Sequence, residues 1–223
     1  MAIKLMLGVG IVAASVIGIL WFTHFGGSQN EVLPSEASQW HIGKGAQYNP
    51  VMQYNISTNS TKFSAKIEFL PATNPVNQTL FVQINPNTNE EIKQTVPINV
   101  VYVFNQVSNK AKPFFTILDS TVFSVRDLAI ENKYLVKDAV WGDMYIHDVK
   151  EEIKVTDHSK ILLKFGSLDS YVISYREGGK ENKLWIVDNL PLPVKAEVYD
   201  LSGNLQYSYE LTSLSAPLTP GFS

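Results

Sequence analysis

Histidine is the side chain most often used in acid–base and metal chemistry, and this sequence holds four: His24, His41, His147 and His158. No two of them stand two or four residues apart, the spacings that place two imidazoles on one face of a strand or helix. The chain contains no cysteine, which excludes thiolate zinc sites, cysteine nucleophiles and disulfide bonds. We therefore predict no metal site and no other cofactor.

The remaining catalytic patterns are incomplete. Gly166-Ser167 and Ser202-Gly203 are the nearest approaches to a G-x-S-x-G nucleophile turn, and neither completes it. Gly178-Gly179-Lys180 lacks the earlier glycine and the following hydroxyl residue of a phosphate-binding loop. The acid pairs Glu90-Glu91 and Glu151-Glu152 lie beside lysines in polar stretches, as solvated surface residues do. The sequence therefore predicts that the protein is not an enzyme.

Three Asn-x-Ser/Thr sequons begin at Asn55, Asn59 and Asn77. Such sequons accept N-linked glycans in domains that lie outside the cytoplasm, where the host has the transferase. These asparagines are therefore candidate glycosylation sites.

Aromatic residues are numerous, with 10 tyrosines and 4 tryptophans. Their amphipathic rings either line a cleft for an acyl chain or a glycan, or serve as strand formers and core fillers. For the case in which the domain encloses a cavity, the candidate ligand-binding residues are Trp185, Tyr171, Tyr207 and Phe104.

The N-terminus carries the strongest signal. No charged residue lies between Leu5 and Phe22, and the uncharged stretch continues to Phe25. A helix of about 20 apolar residues crosses the hydrocarbon core of a bilayer. We predict a transmembrane anchor over residues 1–27 that contacts the membrane through residues 4–25. The alternatives are a cleaved signal peptide, whose apolar region is usually about 7–15 residues long, and a buried core helix.

Charge indicates the orientation of this anchor. Lys4 and the terminal amine lie on the short side, whereas the linker predicted at residues 28–39 has no Lys or Arg and holds Glu31 and Glu36. The positive-inside rule then places the N-terminus in the cytoplasm and the remainder outside a single-pass cell-membrane protein. The net charge of -3 disfavours a nucleic-acid partner.

Beyond the linker, apolar residues recur with a period of two. The segments Lys62–Leu70, Val194–Asp200 and Leu205–Thr212 alternate in this way, which predicts strands with one buried face. A tight turn at Leu201-Ser202-Gly203-Asn204 joins the last two into a hairpin. Ile98–Val107 is nearly all apolar, which predicts a strand covered on both faces. Shorter strand candidates are Leu80–Ile84, Phe114–Leu118, Ile161–Phe165, Ser170–Tyr175 and Lys183–Val187.

Only Ser120–Ala139 has apolar residues near helical spacing. The predicted fold is mainly β: an N-terminal transmembrane helix, then a curved antiparallel sheet, as a half-barrel or a sandwich, with at most one or two short helices. We expect the β domain to span residues 40–216, followed by a tail at 217–223.

Two segments resemble a known group of proteins. Trp40-His41-Ile42-Gly43-Lys44-Gly45-Ala46-Gln47-Tyr48-Asn49-Pro50, with Val51–Tyr54 after it, resembles the start of the outer domain in uncharacterised membrane-anchored surface proteins of ammonia-oxidising archaea. The segment from Lys183 to Tyr199 resembles a near-C-terminal part of the same proteins. The resemblance implies an archaeal host and a surface location, with no known activity.

The second segment is also similar to a hairpin of the lipoprotein-carrier (LolA-like) superfamily. It has a strand with Trp185 and Asp188, a Leu190-Pro191 turn, and then Val194-Lys195-x-Glu197-Val198 before a final strand. That resemblance implies a curved antiparallel sheet, an incomplete barrel, closed by helices over an apolar ligand cavity.

Three functional hypotheses follow. The first is a non-catalytic binding module for an apolar or lipid-like ligand, held in a concavity whose apolar inner face is unfilled. The second is a structural or assembly subunit of the cell envelope that uses its anchor helix or a sheet edge to hold a protein partner. The third, an enzyme, requires convergent polar side chains with shifted pKa values, and no pattern in the sequence indicates them.

Overall fold

The structure is a computed structural model that describes residues 37–72, 78–86, 90–98, 103–146, 149–177 and 179–215. The predicted anchor at residues 4–25 and the sequon at Asn77 lie outside the described residues. Within the described ranges, no helix has both the length and the apolar character needed to cross a membrane.

The described residues form a mainly antiparallel β structure with two short α-helices. The helices are α1 (Lys112–Ser120) and α2 (Val125–Ala129). The strands are β1 (Ser38–Trp40), β2 (Val51–Thr58), β3 (Lys62–Phe69), β4 (Thr79–Pro86), β5 (Ile92–Pro97), β6 (Lys133–Leu135), β7 (Val140–Ile146), β8 (Val149–Leu163), β9 (Gly166–Glu177), β10 (Lys180–Ile186), β11 (Lys195–Tyr199) and β12 (Leu205–Ser215).

Ten of these strands form one sheet in the order β5-β4-β3-β2-β12-β11-β10-β9-β8-β7. Each neighbouring pair is antiparallel, and all but the β2–β12 pair are successive in the chain. Short hairpins explain this order, because antiparallel neighbours need only a tight turn between them. The predicted turn between β11 and β12 is confirmed, with Gly203 at φ 77.

The sheet has two faces of different composition. Along β2, Met52, Tyr54 and Ile56 are buried, while the alternating Gln53 and Asn55 are not. We call the face that carries Tyr54 the inner face and the face that carries Asn55 the outer face. Cross-strand register assigns the other strands, because directly opposed residues share a face.

Helices α1 and α2 cover the inner face. Phe115 and Leu118 of α1 are fully buried, and Phe114 meets Phe63 of β3 edge to face at 5.3 Å between ring centroids. A buried ion pair between Asp119 and Arg126 ties the two helices together. Arg126 Nε also donates to the carbonyl of Phe123 at 3.0 Å.

Several sequence-based assignments in this region are wrong. Phe114–Leu118, predicted as a strand, belongs to α1, because Ala111, Phe115 and Leu118 repeat at helical spacing and face the core together. Ile98–Val107 was predicted as one strand, yet β5 ends at Pro97 and a 3-10 turn occupies Val103–Asn105.

The helix predicted over Ser120–Ala139 is confined to α2. The helical stretch begins earlier, with Pro113 in the first turn of α1, a position where the missing N–H costs no hydrogen bond. Lys133–Leu135 is a strand that pairs with β1, which itself begins at Ser38, within the predicted linker.

The segments at residues 40–54 and 183–199 meet in the structure. Trp40 Nε1 donates to the carbonyl of Leu190 at 2.9 Å, and Gly43 N donates to the carbonyl of Pro191 at 3.1 Å. At Gly45, φ is 82 and a Cβ would lie 2.1 Å from the carbonyl oxygen of Asn189, so only glycine fits there. The two segments therefore form one structural junction.

The hairpin of β8 and β9 leaves the plane of the sheet. A register shift between Val155 and Asp157 inserts one extra residue into β8, and bulges of this kind bend a strand. We call residues 157–172, the part of the hairpin beyond the bulge, the arm. Its tip is the turn at Lys164 and Phe165.

The arm packs through its outer face. Val172 lies opposite Trp185, and Ile161 and Leu163 fall on the same side of the hairpin as Val172 by register. Although this side of the hairpin faces away from the helices, only 9% of Ile161 and 4% of Leu163 is exposed, so both side chains are covered by the outer side of the molecule. The arm therefore folds over the outer side of the molecule, whereas the helices lie on the inner side.

Candidate functional site

An open groove of about 580 Å³ lies on the outer face, between the tip of the arm and strands β2, β3, β11 and β12. Lys164 lines it from the arm, and Asn55, Ser64, Lys195 and Glu210 line it from the sheet.

Strand register produces this polar floor. In the strand register, Trp185 lies opposite Lys195, Lys195 opposite Glu210, Glu210 opposite Asn55, and Asn55 opposite Ser64. These residues form one continuous row across five antiparallel strands. The floor is rigid, because each of β10, β11, β12, β2 and β3 is hydrogen-bonded to a strand on both sides.

The groove contains charged groups of both signs. Lys195 pairs with Glu197 at 2.8 Å, and its ammonium lies 5.0 Å from the centre of the Trp185 ring. Lys62, Lys164 and Glu210 also line the groove, and within the described ranges none of them has an ion-pair partner. The groove thus presents ammonium groups and a carboxylate that are available to a ligand.

Hydroxyl groups of Ser57, Ser64, Ser208 and Thr212 also line the groove, and its remaining lining comes from Glu197, Ile56, Phe63 and Tyr209. Serine acts as a nucleophile only when a base takes its proton. None of the histidines that the structure describes lines the groove. The groove offers hydrogen-bonding groups and charged groups, which a ligand can contact.

The histidine of the arm lies elsewhere. His158 stacks on Tyr171 with ring centroids 4.0 Å apart, and its Nε2 lies 3.0 Å from Asp169 Oδ2. Register places this cluster on the opposite side of the arm from Ile161, where it is largely exposed. In the part of the chain that the structure describes, no three His, Asp or Glu residues are grouped to hold a metal ion.

The structure separates the predicted ligand-binding residues. Tyr171 and Tyr207 are on the inner face, whereas Trp185 is on the outer face beside Lys195. Phe104 belongs to the 3-10 turn before α1, where its backbone N donates to Asp119 Oδ2 at 3.0 Å. No single cavity therefore brings these four together in the described structure.

Tyr207 instead belongs to a buried tyrosine cluster on the inner face. It stacks on Tyr209 at 6.4 Å, and Tyr54 meets Tyr209 edge to face at 5.9 Å. Tyr54 Oη donates to the carbonyl of Pro193 at 2.9 Å. The hydroxyl of Tyr209 is buried and has no partner among the described residues.

Burial sets the acidity of this cluster. Desolvation raises the pKa of Tyr207 to about 12 and raises the pKa of Tyr54, Tyr175 and Tyr209 well above the ordinary value of 10.0. These phenols are therefore neutral packing groups at physiological pH. On the inner face, side chains of α1 and α2 and of the sheet pack into one hydrophobic core.

Sequence reasoning missed the groove because its residues look ordinary one at a time. Lys62, Asn55, Glu210 and Lys195 are the polar members of alternating strands, which predicts only a solvated face. The arm exists because the β8–β9 hairpin is long, and this length becomes visible only once the pairing of the two strands is known.

Comparison with known proteins identifies no family for this chain. No protein-family model matches the chain, and no curated protein matches it. Among solved structures, a Bacteroides fragilis protein with a YmcC-like fold is 9% identical, with a TM-score of 0.39 over 80% of this chain and 99% of that one.

Two further structures are similar at the same level. MucB of Pseudomonas aeruginosa, solved in complex with MucA, is 9% identical with a TM-score of 0.36 over 81% of this chain and 56% of that one. This chain thus spans a little over half of MucB. A Parabacteroides distasonis protein described as a lipoprotein is 12% identical, with a TM-score of 0.30 over 81% of this chain and 100% of that one. At these identities and TM-scores the likeness carries no conclusion about family or function.

Proposed function

We propose that this protein is a non-catalytic binding module held on the outer surface of the cell membrane, and that the groove is its ligand site. The observation that carries the proposal is an open polar groove whose Lys62, Lys164 and Glu210 have no ion-pair partner within the described ranges. Unpaired charges in a concave, rigid surface favour a ligand that pairs them.

The lining also indicates the class of ligand. Lys62 and Lys164 favour an anionic group, and Glu210 with the serine hydroxyls favours hydrogen-bond donors nearby. The ligand we propose is therefore polar and carries at least one carboxylate or phosphate. An acyl chain fits this site poorly, because desolvating the lysines without pairing them is costly.

The membrane location rests on the sequence. The uncharged stretch between residues 4 and 25 is long enough to span a bilayer, and Lys4 favours a cytoplasmic N-terminus. A membrane anchor of this kind keeps the groove close to the cell envelope, where the proposed ligand or partner would bind.

Native mass spectrometry of the full chain, extracted from its own membrane in mild detergent, tests the proposal. We expect a reproducible non-covalent adduct that the double variant K62E/K164E loses. The double variant K137E/K160E carries the same charge change on exposed lysines outside the groove, and it should keep the adduct. A wild-type protein without any adduct, or an adduct that survives K62E/K164E, would overturn the proposal.

A second candidate function is assembly through a sheet edge. Strand β7 is the last strand of the sheet, and Val140 and Tyr145 on it are 50% and 62% exposed. Edge strands with apolar side chains accept an extended strand from a partner. A photo-crosslinking residue at position 145 should then capture one partner protein in the native membrane, and the same residue at exposed position 162 should not.

A further inference from the structure

The two sequons within the described residues differ sharply in their surroundings. Asn59-Ser60-Thr61 forms the turn between β2 and β3, and Asn55-Ile56-Ser57 lies inside β2. We propose that Asn59 is N-glycosylated and that Asn55 remains unmodified within the groove.

The turn leaves both reacting groups of the first sequon available. Thr58 organises it: its backbone N donates to the carbonyl of Thr61 at 2.8 Å, and its Oγ1 accepts from Ser60 N and Thr61 N. Asn59 is exposed, and within the described ranges neither its amide nor the hydroxyl of Thr61 makes a hydrogen bond. A transferase must engage this asparagine amide and this hydroxyl together, and here both are free.

The second sequon is held in the sheet. Asn55 pairs with Glu210 of β12 on one side and with Ser64 of β3 on the other. Both Asn55 and Ser57 line the groove beneath Lys164. An enzyme that binds this segment has to open two ladders of backbone hydrogen bonds, so the folded domain protects Asn55.

The chemistry is transfer of an oligosaccharide from a polyprenyl phosphate or diphosphate donor. A bond forms between the anomeric carbon of the first sugar and Nδ2 of Asn59, and the bond from that carbon to the phosphate oxygen of the donor breaks. The amide proton passes to a base of the transferase, and the leaving group is polyprenyl phosphate or polyprenyl diphosphate, according to the donor. No oxidant or reductant is needed.

The position of Asn59 also suits the groove. Lys62, which begins β3 immediately after the turn, lines the groove. A glycan on Asn59 therefore stands beside the groove, whereas a glycan on Asn55 would fill it. The glycan is covalently attached, so it stays on the protein after denaturation, whereas a ligand bound in the groove is lost. The test of this proposal therefore does not depend on the proposed ligand.

Peptide mass spectrometry of the full-length protein from its own cells tests the assignment. Trypsin releases residues 45–62 as one peptide that carries both sequons, so electron-transfer fragmentation must locate the sugar. We expect a glycan on Asn59 in the wild type, its loss in T61A, and its retention in S57A and T61S. An unmodified wild-type peptide, or loss of the glycan in S57A, would overturn the inference.

Discussion

The same central strands present two opposite surfaces. On β3, Ala65 of the inner face is fully buried under the helix-covered core, while its neighbour Ser64 lines the outer groove. The inner face carries apolar side chains and the outer face polar ones, and the two faces are also covered by different elements. The helices α1 and α2 bring large apolar side chains to the inner face, whereas the arm covers only part of the outer face.

This comparison shows that the cover of each face decides its role. The inner face is packed with aromatic side chains and stabilises the fold. The outer face keeps an open groove, in which Lys62, Lys164 and Glu210 have no ion-pair partner among the described residues; the proposed ligand site rests on this feature. The predictions below alter one face at a time.

The largest expected effect is alkaline unfolding through the inner face. Tyrosines that ionise near pH 10 when unfolded stay neutral in the fold, since burial raises the pKa of Tyr54, Tyr175, Tyr207 and Tyr209. The unfolded state then holds fewer protons, so stability falls as pH rises above 10. Each tyrosine that stays neutral in the fold contributes up to about 1.4 kcal/mol per pH unit above pH 10, so the four together contribute up to about 5.5 kcal/mol per pH unit.

Urea denaturation between pH 8 and pH 11.5 measures this slope. Replacing Tyr54 and Tyr209 with phenylalanine should remove roughly half of it. A free energy of unfolding that does not change up to pH 11 would show that the cluster is solvated.

A smaller loss is expected when the ion pair between the two helices is broken. The variant R126M leaves Asp119 buried without its partner, which costs about 3–5 kcal/mol at neutral pH. Burial already raises the pKa of Asp119, so this carboxyl takes up a proton more readily in the folded variant. The loss should therefore shrink as pH falls.

The double variant D119L/R126M is the control, because it removes both charges and should recover much of the stability. Equal destabilisation in the single and double variants would show that packing, and not charge, holds the helices. Denaturation followed by circular dichroism gives the comparison.

Neighbouring leucines of the arm test its contact with the outer face. Leu163 is buried and Leu162 is 82% exposed. L163A should lower the free energy of unfolding by roughly 2 kcal/mol, because it leaves a cavity under the arm. L162A should change it by less than about 0.5 kcal/mol. Equal effects would mean that the arm does not pack on the outer side.

The smallest predicted effect concerns a single hydroxyl of the inner face. Tyr209 Oη is buried and has no hydrogen-bond partner within the described ranges, so Y209F should be neutral or stabilise the protein by about 1 kcal/mol. Tyr54 Oη donates to Pro193, so Y54F should destabilise by a similar amount. Thermal unfolding at pH 7 compares the stabilities of Y209F and Y54F. Equal destabilisation would show that the Tyr209 hydroxyl also has a hydrogen-bond partner.

Sequence alternation was sufficient to predict β3, β11 and β12, because each has one dry and one wet face. It failed for α1, where Phe114, Phe115 and Ile117 are good strand formers that long-range packing holds in a helix. It also failed for the site, because the groove depends on a bulge at Thr156 and on pairings between distant strands.

The most direct test of the central claim compares two adjacent residues on the two faces. The natural chain has no cysteine, so S64C and A65C each introduce a single thiol. We predict that a maleimide labels S64C rapidly and A65C at least about 1,000-fold more slowly, because a core residue is exposed only by nearly global opening. The ligand that co-purifies with the protein should slow the labelling of S64C alone. Equal labelling rates at the two positions would show that the inner face is open, and would contradict the account.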